Sequence, residues 1–245
     1  MTGWTREEMM TVAAARMLWD GCVCFVGIGL PSAACNLARL THAPDIVLIY
    51  ESGTIGTRPD VLPLSIGDGE LAETAACVVP LPEIFSYYLQ GGRVDVGFLG
   101  AAQIDRFGNL NSTVIGPYGA PRTRLPGAGG APEIATHARQ TFVVMKASPR
   151  SFVAKLDFCT SVPHPRSVIT DFGVLEPAPE SGELALTKLF PGSTVDEARA
   201  AVGWPLAVAD EIEVLAAPSD HELTTLRALN ERTAEAHRRP VELPA

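Results

Sequence analysis

Short apolar runs alternate with amphipathic segments along much of this chain. The runs occupy residues 22–26, 46–50, 94–99 and 141–145. Because they are rich in β-branched and aromatic side chains, they predict strands buried on both faces, as in a parallel sheet. Apolar residues recur at helical spacing before each of the first two runs, over 5–21 and about 31–41. This α-β-α-β order predicts an α/β fold: a largely parallel open sheet with helices on both faces.

Two capping boxes mark the helices nearest the chain ends. Thr5 and Glu8 are spaced for one before the first helix, and Ser219 and Glu222 are spaced for another. In such a box the hydroxyl and the carboxylate each accept a hydrogen bond from the other residue's backbone amide. The second box predicts a charged C-terminal helix over about 219–238.

The domain organisation predicted from the chain is simple. Further helices are expected over 132–139 and 194–203, and no repeat or low-complexity segment interrupts the sequence. At 245 residues the chain is interpreted as one domain over 1–245, with a core of about 5–205. Residues 239–245 are expected to form a short frayed tail.

Composition excludes several classes of partner. Acidic residues outnumber basic ones by 28 to 19, giving a net charge of −9, which argues against nucleic acid or an anionic membrane as the main partner. Apolar windows end well before a membrane-spanning length. The five cysteines show no C-x-x-C spacing and the histidines no metal-ligand spacing. These features predict a cytoplasmic protein with reduced thiols and no metal.

Glu51 is the first candidate for chemistry, because it directly follows the apolar run 46–50. Ligands of open α/β sheets bind outside the carboxyl ends of the strands. The position therefore aims a carboxylate at the expected site. The alternative is a solvated residue that caps a strand.

A dinucleotide site is a second interpretation of the same region. Gly27 and Gly29 lie between a strand and a helix, and Glu51 follows at the distance of an acid that binds a ribose hydroxyl. However, Ser32 stands where the third glycine of that fingerprint is expected. Without the fingerprint, the two glycines predict a tight strand-to-helix turn.

Glycine-rich and amide-rich loops offer further candidates. Residues 100–113 form a polar segment containing Asn109 and Asn111, and residues 116–132 are rich in glycine and proline. The run Gly127-Ala128-Gly129-Gly130 leaves backbone amides unshielded, and such amides can converge on an oxyanion. A flexible surface loop is the competing interpretation.

Six short motifs follow one another along the chain. They are Gly27-Ile28-Gly29-Leu30-Pro31, Tyr50-Glu51-Ser52-Gly53, Gly100-Ala101-Ala102-Gln103-Ile104-Asp105, Phe107-Gly108-Asn109-Leu110-Asn111-Ser112, Gly127-Ala128-Gly129-Gly130-Ala131 and Phe190-Pro191-Gly192. Together they resemble the β subunit of the class I CoA-transferases. The second motif looks more like the glutaconate CoA-transferase branch than the 3-oxoacid branch, which carries Ser-Glu-Asn-Gly.

The resemblance implies a reaction and a set of site residues. It implies that CoA moves from an acyl-CoA to a carboxylic acid through a glutamyl-CoA thioester on Glu51. CoA is then a substrate, and no cofactor is needed. A separate α subunit in an α2β2 assembly is implied as partner. The implied oxyanion and CoA-binding residues are Gly127, Gly129 and Gly130, and the implied pocket residues are Gly27, Gly29, Ser52, Gly53, Asn109 and Asn111.

Three alternatives stay open at the level of sequence. Members of the same superfamily hydrolyse or ring-cleave a CoA thioester, or decarboxylate one, although those branches tend to lack the glutamate that this chain keeps at position 51. An NAD-binding protein that uses Glu51 on ribose is the second. A non-catalytic partner subunit is the third.

Overall fold

The computed structural model describes residues 3–238 and is built around one ten-stranded sheet. The sheet order is β14-β13-β12-β11-β10-β5-β1-β2-β3-β4. Its strands are β1 (Val23–Phe25), β2 (Val47–Ile49), β3 (Thr54–Ile55), β4 (Cys77–Val78), β5 (Val96–Leu99), β10 (Gln140–Val144), β11 (Ser167–Ile169), β12 (Gly173–Pro177), β13 (Leu184–Leu189) and β14 (Ala207–Val214). Two short hairpins lie outside it: β6 (Gln103–Ile104) with β7 (Leu110–Asn111), and β8 (Val114–Ile115) with β9 (Thr123–Arg124).

Parallel pairing defines the middle of the sheet. Five adjacent strands, β11, β10, β5, β1 and β2, pair parallel with one another. On one side of them β3 and β4 pair antiparallel, and on the other side β12 and β13 do so. The outer strand β14 is again parallel to β13. The predicted α/β fold is confirmed, with the parallel part confined to the centre and one edge.

Helices cover both faces of the sheet, as predicted. They are α1 (Arg6–Arg16), α2 (Leu30–Leu40), α3 (Gly69–Glu73), α4 (Leu81–Glu83), α5 (Ala131–His137), α6 (Val195–Ala201) and α7 (Asp220–Arg238), with a π-helix at Ile84–Leu89. Side chains of α1, α2 and α7 pack in one apolar core, and those of the π-helix, α5 and α6 pack in another. Cys24 and Phe25 enter opposite cores, as alternation along a doubly buried strand requires.

Both predicted capping boxes are present. The Glu8 amide donates to Thr5 Oγ1 at 3.1 Å and the Thr5 amide to Glu8 Oε2 at 2.7 Å, while Ser219 and Glu222 exchange the same pair of bonds. The first helix nevertheless ends at Arg16, several residues before the predicted stop at Gly21. The expected tail at 239–245 lies outside the described residues.

Several elements were not predicted. The polar segment 100–113 contains the β6–β7 hairpin, and the glycine-rich segment after 113 contains the β8–β9 hairpin. The π-helix and the two short helices before it, α3 and α4, also lack a sequence signal. Within residues 3–238, no helix combines the length and the apolar character needed to span a bilayer.

Candidate active site

Glu51 lies where the carboxyl end of β2 turns into β3. The turn is closed by the Gly53 amide, which donates to the Tyr50 carbonyl at 3.0 Å, and by the Tyr50 amide, which donates to the Thr54 carbonyl at 3.1 Å. The strand order reverses between β1 and β5, next to β2. Glu51 is therefore half-buried beside the crevice in which doubly wound sheets bind ligands.

Gly53 makes this turn sterically feasible. Its φ of +105° lies outside the range that other residues adopt readily, and a β-carbon there would overlap the carbonyl oxygen of Val79. The Val79 amide donates to the Gly53 carbonyl at 2.9 Å, so the two backbones run in direct contact. The turn that carries Glu51 is thus held by backbone contact with Val79, just before α4.

The residue before Glu51 is anchored below the site. Tyr50 is fully buried, and its hydroxyl lies 2.8 Å from Ser32 Oγ on α2. Burial raises the pKa of Tyr50, so the phenol stays protonated as a hydrogen-bonding group. Ser32 stands where the dinucleotide fingerprint has its third glycine, and Tyr50 stands where the 3-oxoacid motif has serine. The two residues that depart from these motifs, Ser32 and Tyr50, are therefore hydrogen-bonded to each other between α2 and the end of β2.

Glu51 faces the glycine loop, as the interpretation of the sequence requires. A β-carbon built on Gly130 would lie 3.3 Å from Glu51 Oε1 and 2.7 Å from Phe85 Cζ. The carboxylate and the phenyl ring therefore both border the space that a side chain at the buried Gly130 would occupy. A larger residue at this position would require one of these two groups to move.

Phe85 reaches this position from the π-helix. The Gln90 amide donates to the Phe85 carbonyl at 2.8 Å, a five-residue step that widens the helix. The ring also packs on Phe25 at the end of β1, with centroids 5.9 Å apart. It forms an apolar wall beside Glu51. No motif in the sequence signalled this residue.

The three glycines of the loop have different backbone partners. The Gly127 amide donates to the Ser112 carbonyl at 2.9 Å, and Ser112 Oγ donates to the Gly127 carbonyl at 2.8 Å. Neither the Gly129 nor the Gly130 amide donates a hydrogen bond within the described part of the chain. The Ala128 amide is likewise unpaired within that range, and the Gly129 and Gly130 amides are the two of these three that belong to the predicted oxyanion residues.

The remaining predicted pocket residues lie in other local environments. Asn109 caps its own turn by donating to Asp105 Oδ2 at 2.9 Å. Asn111 is fully buried and donates to Gln103 Oε1 and to the Val114 carbonyl, both at 2.7 Å. Both side chains therefore stabilise the hairpins. Ser52 Oγ, next to the carboxylate, is buried without a partner among residues 3–238.

Gly27 and Gly29 occupy the turn between β1 and α2. Gly29 is the N-cap of α2 with φ +84° and ψ −131°, a conformation open to glycine alone. A β-carbon on Gly27 would have only Pro31 atoms within 4 Å, and one on Gly29 would have no atom within that distance. Glu51 thus approaches Gly130 rather than this turn, which argues against an acid that binds ribose over the turn.

This arrangement supports a defined type of chemistry. It places a carboxylate, two unused backbone amides and an apolar wall around one point. A carboxylate can attack a carbonyl carbon, and free amides can stabilise the oxyanion that results. The geometry therefore fits acyl transfer through an enzyme-bound acid.

Comparisons with known proteins agree with this chemistry. The sequence pattern of the family described as coenzyme A transferase matches residues 7–201. Over 97% of both chains, the protein is 57% identical to the B subunit of the 3-oxoadipate CoA-transferase of Pseudomonas knackmussii. Over 92% of both chains, it is 32% identical to the B subunit of the glutaconate CoA-transferase of Acidaminococcus fermentans.

Solved structures give the same relationship. Glutaconate coenzyme A-transferase of Acidaminococcus fermentans superposes with a TM-score of 0.86, covering 92% of this chain and 94% of that one. The decarboxylase AibA/AibB also superposes with a TM-score of 0.86, at 26% identity, covering 95% of this chain and 98% of that one.

Proposed function

This chain belongs to the coenzyme A transferase family, and we propose that it supplies the nucleophile of a two-subunit enzyme that transfers CoA between carboxylic acids. The observation that carries the proposal is the contact of Glu51 with the glycine loop, where a β-carbon on Gly130 would lie 3.3 Å from Glu51 Oε1. Through its similarity to two B subunits, the chain is a β-type subunit of a CoA-transferase.

The proposed first half-reaction uses the carboxylate and the two amides of the site. A Glu51 carboxylate oxygen attacks the thioester carbonyl, and the amides of Gly129 and Gly130 stabilise the oxyanion. The carbon–sulfur bond breaks and leaves a mixed anhydride with free CoA thiolate. The thiolate then attacks the Glu51 carbonyl carbon, the original acid departs as its carboxylate, and a glutamyl-CoA thioester remains. The same steps in reverse load the acceptor acid, so no external base or cofactor is consumed.

Gly127 has a supporting part in this proposal. Because its amide is already bonded to Ser112, it holds the loop in place and leaves anion binding to Gly129 and Gly130. Positioning of this kind offsets the weak nucleophilicity of a carboxylate.

The substrate that we propose is a dicarboxylic acid and its CoA thioester. The relative at 57% identity is named for 3-oxoadipate and the one at 32% for glutaconate, and both acids are dicarboxylates. The partner is an α-type subunit, since both relatives are named as B subunits. We further propose an α2β2 complex in the cytoplasm, in keeping with five free cysteines.

A second candidate function is decarboxylation, which is favoured by the similarity to AibA/AibB. The retained Glu51 and the phenyl ring beside it support transfer instead. The Phe85 ring and Glu51 Oε1 both approach the same point at Gly130, and an apolar ring so close to the carboxylate would limit the access of water to a glutamyl thioester. The dinucleotide interpretation has no comparable support, because no atom of Glu51 lies within 4 Å of a β-carbon built on Gly27 or Gly29.

Steady-state kinetics of the complex test this proposal. With 3-oxoadipate as acceptor and succinyl-CoA as donor, we expect ping-pong kinetics in which CoA appears on the acceptor much faster than as free thiol. Glu51→Gln should abolish transfer, while Glu73→Gln, the same change at an exposed carboxylate that makes no hydrogen bond within residues 3–238, should retain it. Release of free CoA at a rate independent of any acceptor would contradict the transferase assignment. Product CO2 formed in step with substrate loss would support the decarboxylase.

A further inference from the structure

Most basic side chains of this acidic protein are already paired. Ion pairs, hydrogen bonds to carbonyl groups or aromatic contacts engage most of those within residues 3–238. The basic side chains of that range that make none of these contacts are Arg122, Arg150, Lys155, Arg166 and Arg238. Their distribution is uneven, because three of them meet at one cavity.

That cavity has a volume of about 690 Å³ and is lined by Arg122, Arg150 and Lys155. Arg122 precedes β9 of the second hairpin, and the other two follow β10 on the long connection to β11. Asp157 is the one acidic side chain in the lining. Its Oδ2 accepts hydrogen bonds from Gln103 Nε2 at 3.0 Å and from the Gly116 amide at 3.1 Å. These two donors partly neutralise the negative charge of the carboxylate.

The charge of this cavity opposes that of the whole molecule. The chain carries a net charge of −9, and a local surplus of cations within such a field concentrates anions from solution. One carboxylate would be matched by one guanidinium. Three cations against the single carboxylate of Asp157 leave a surplus of positive charge around a wide cavity, and this surplus matches a group with several negative charges, such as a cluster of phosphates.

Strand β9 connects the lining of this cavity to the glycine loop. Strand β9 leads directly into residues 125–130, and the Leu125 and Gly127 amides donate to the carbonyls of Thr113 and Ser112 at 3.1 and 2.9 Å. Seven residues separate Arg122 from Gly129, so the two lie at most ~25 Å apart. One extended molecule can therefore reach from the cavity to Glu51.

We propose that the cavity lined by Arg122, Arg150 and Lys155 binds the phosphate groups of coenzyme A, with the pantetheine arm extending along β9 to the glycine loop. This inference rests on the proposed function, which supplies a CoA thioester as substrate. It also gives Asn111 a role, because its amide holds Gln103, which in turn holds Asp157 at the cavity floor.

Calorimetric titration of the purified complex tests the proposal with three probes. The probes are coenzyme A, adenosine 3′,5′-bisphosphate and pantetheine, which separate the phosphate end from the thiol end. We expect Arg122→Gln, Arg150→Gln and Lys155→Gln each to weaken binding of the first two by roughly 3- to 10-fold, and to leave pantetheine unchanged. Added salt should weaken binding of coenzyme A to the wild-type complex more than to a variant that combines Arg122→Gln with Arg150→Gln.

Arg166→Gln is the matched control, because this side chain is equally unpaired but lines a different cavity. We expect it to change no affinity by more than about 2-fold. Equal loss in this control, or unchanged affinity in all three cavity variants, would overturn the proposal. So would inorganic phosphate binding as tightly as the bisphosphate, or variants that lose the partner subunit while binding the probes normally.

Failure of this inference is distinguishable from failure of the proposed function. If the bisphosphate affinity falls as expected but Glu51 never carries an adduct, the cavity assignment stands and the transfer mechanism fails. If the adduct forms while the cavity variants bind CoA normally, the mechanism stands and the cavity assignment fails.

Discussion

At the scale of single residues, Gly130 holds the site together. The Glu51 carboxylate and the Phe85 ring both border the space that its β-carbon would occupy, and its amide donates no hydrogen bond within residues 3–238. A methyl group at this position would displace one of these partners. The residue therefore links the proposed nucleophile, the apolar wall and one of the amides proposed to bind the oxyanion.

Substitution of Gly130 tests this arrangement. We expect Gly130→Ala to lower kcat by about 100-fold, comparable to the loss of one oxyanion donor, because the β-carbon would lie 2.7 Å from Phe85 Cζ. Gly119→Ala is the control, since its β-carbon would have no atom within 4 Å and its φ is not positive. Adding Phe85→Leu to Gly130→Ala should restore part of kcat. An unchanged kcat in Gly130→Ala would show that the contact is dispensable.

Some site residues could be predicted and others could not, for a physical reason. Glu51 and the glycine loop carry local signals: a carboxylate after an apolar run, and consecutive residues without side chains. Phe85 carries no such signal, because its role depends on a π-helix and on strand packing that bring it to Gly130. Asn111 was expected near the substrate from the family resemblance, yet its hydrogen bonds are directed into the hairpin.

At the scale of elements, two ion pairs join the C-terminal helix α7 to α1: Arg227 with Glu8, and Glu222 with Arg16, of which the second is the less exposed. Arg16 Nη2 lies 2.7 Å from Glu222 Oε2, and Arg16 also donates to the carbonyls of Ala216 and Ala217. Burial raises the pKa of Glu222, but the hydrogen bonds from Arg16 and Ser219 outweigh it and lower the pKa from 4.5 to about 2. The charged form therefore stabilises the folded chain.

The pH dependence of stability follows from that shift. The contribution of Glu222 is complete above about pH 4.5 and is lost as the pH falls towards 2. We expect Glu222→Gln to lower the free energy of unfolding by about 2 kcal/mol at pH 7 and to flatten its slope between pH 4.5 and 2. Urea unfolding of the full chain at several pH values measures both effects.

Glu7 provides the control for this experiment. It pairs with Lys146 at 2.6 Å, but both side chains are about 65% exposed, so water screens the pair. Glu7→Gln should leave stability unchanged within error. If Glu222→Gln kept the pH slope of the wild-type chain, the Arg16 pair would not be the source of the acid sensitivity.

Elements with long periodic patterns could be predicted, and very short ones could not. The first two helices and the central strands carry an apolar period or an unbroken apolar run that fixes their type. The two-residue strands β6 to β9 are too short to show any period. Their pairing depends on contacts such as that between the Arg122 amide and the Ile115 carbonyl, which the local sequence does not encode.

At the scale of the whole molecule, the site opens onto a surface with exposed apolar side chains. Val78 on the edge strand β4 is 57% exposed, and Leu81 and Tyr87 beside it are 49% and 63% exposed. Glu51 sits in the adjoining turn, since Gly53 contacts Val79. An exposed apolar surface next to a reactive carboxylate accords with the proposal that a second subunit completes the site.

Chemical trapping of the acyl-enzyme tests the central claim most directly. The complex is incubated with succinyl-CoA, treated with sodium borohydride and digested, and the peptide carrying Glu51 is identified by mass spectrometry. We predict reduction of the Glu51 carboxyl to an alcohol in the wild-type complex, none without CoA thioester, and none in Glu51→Gln. An unmodified Glu51 in a complex that is actively transferring CoA would contradict the account.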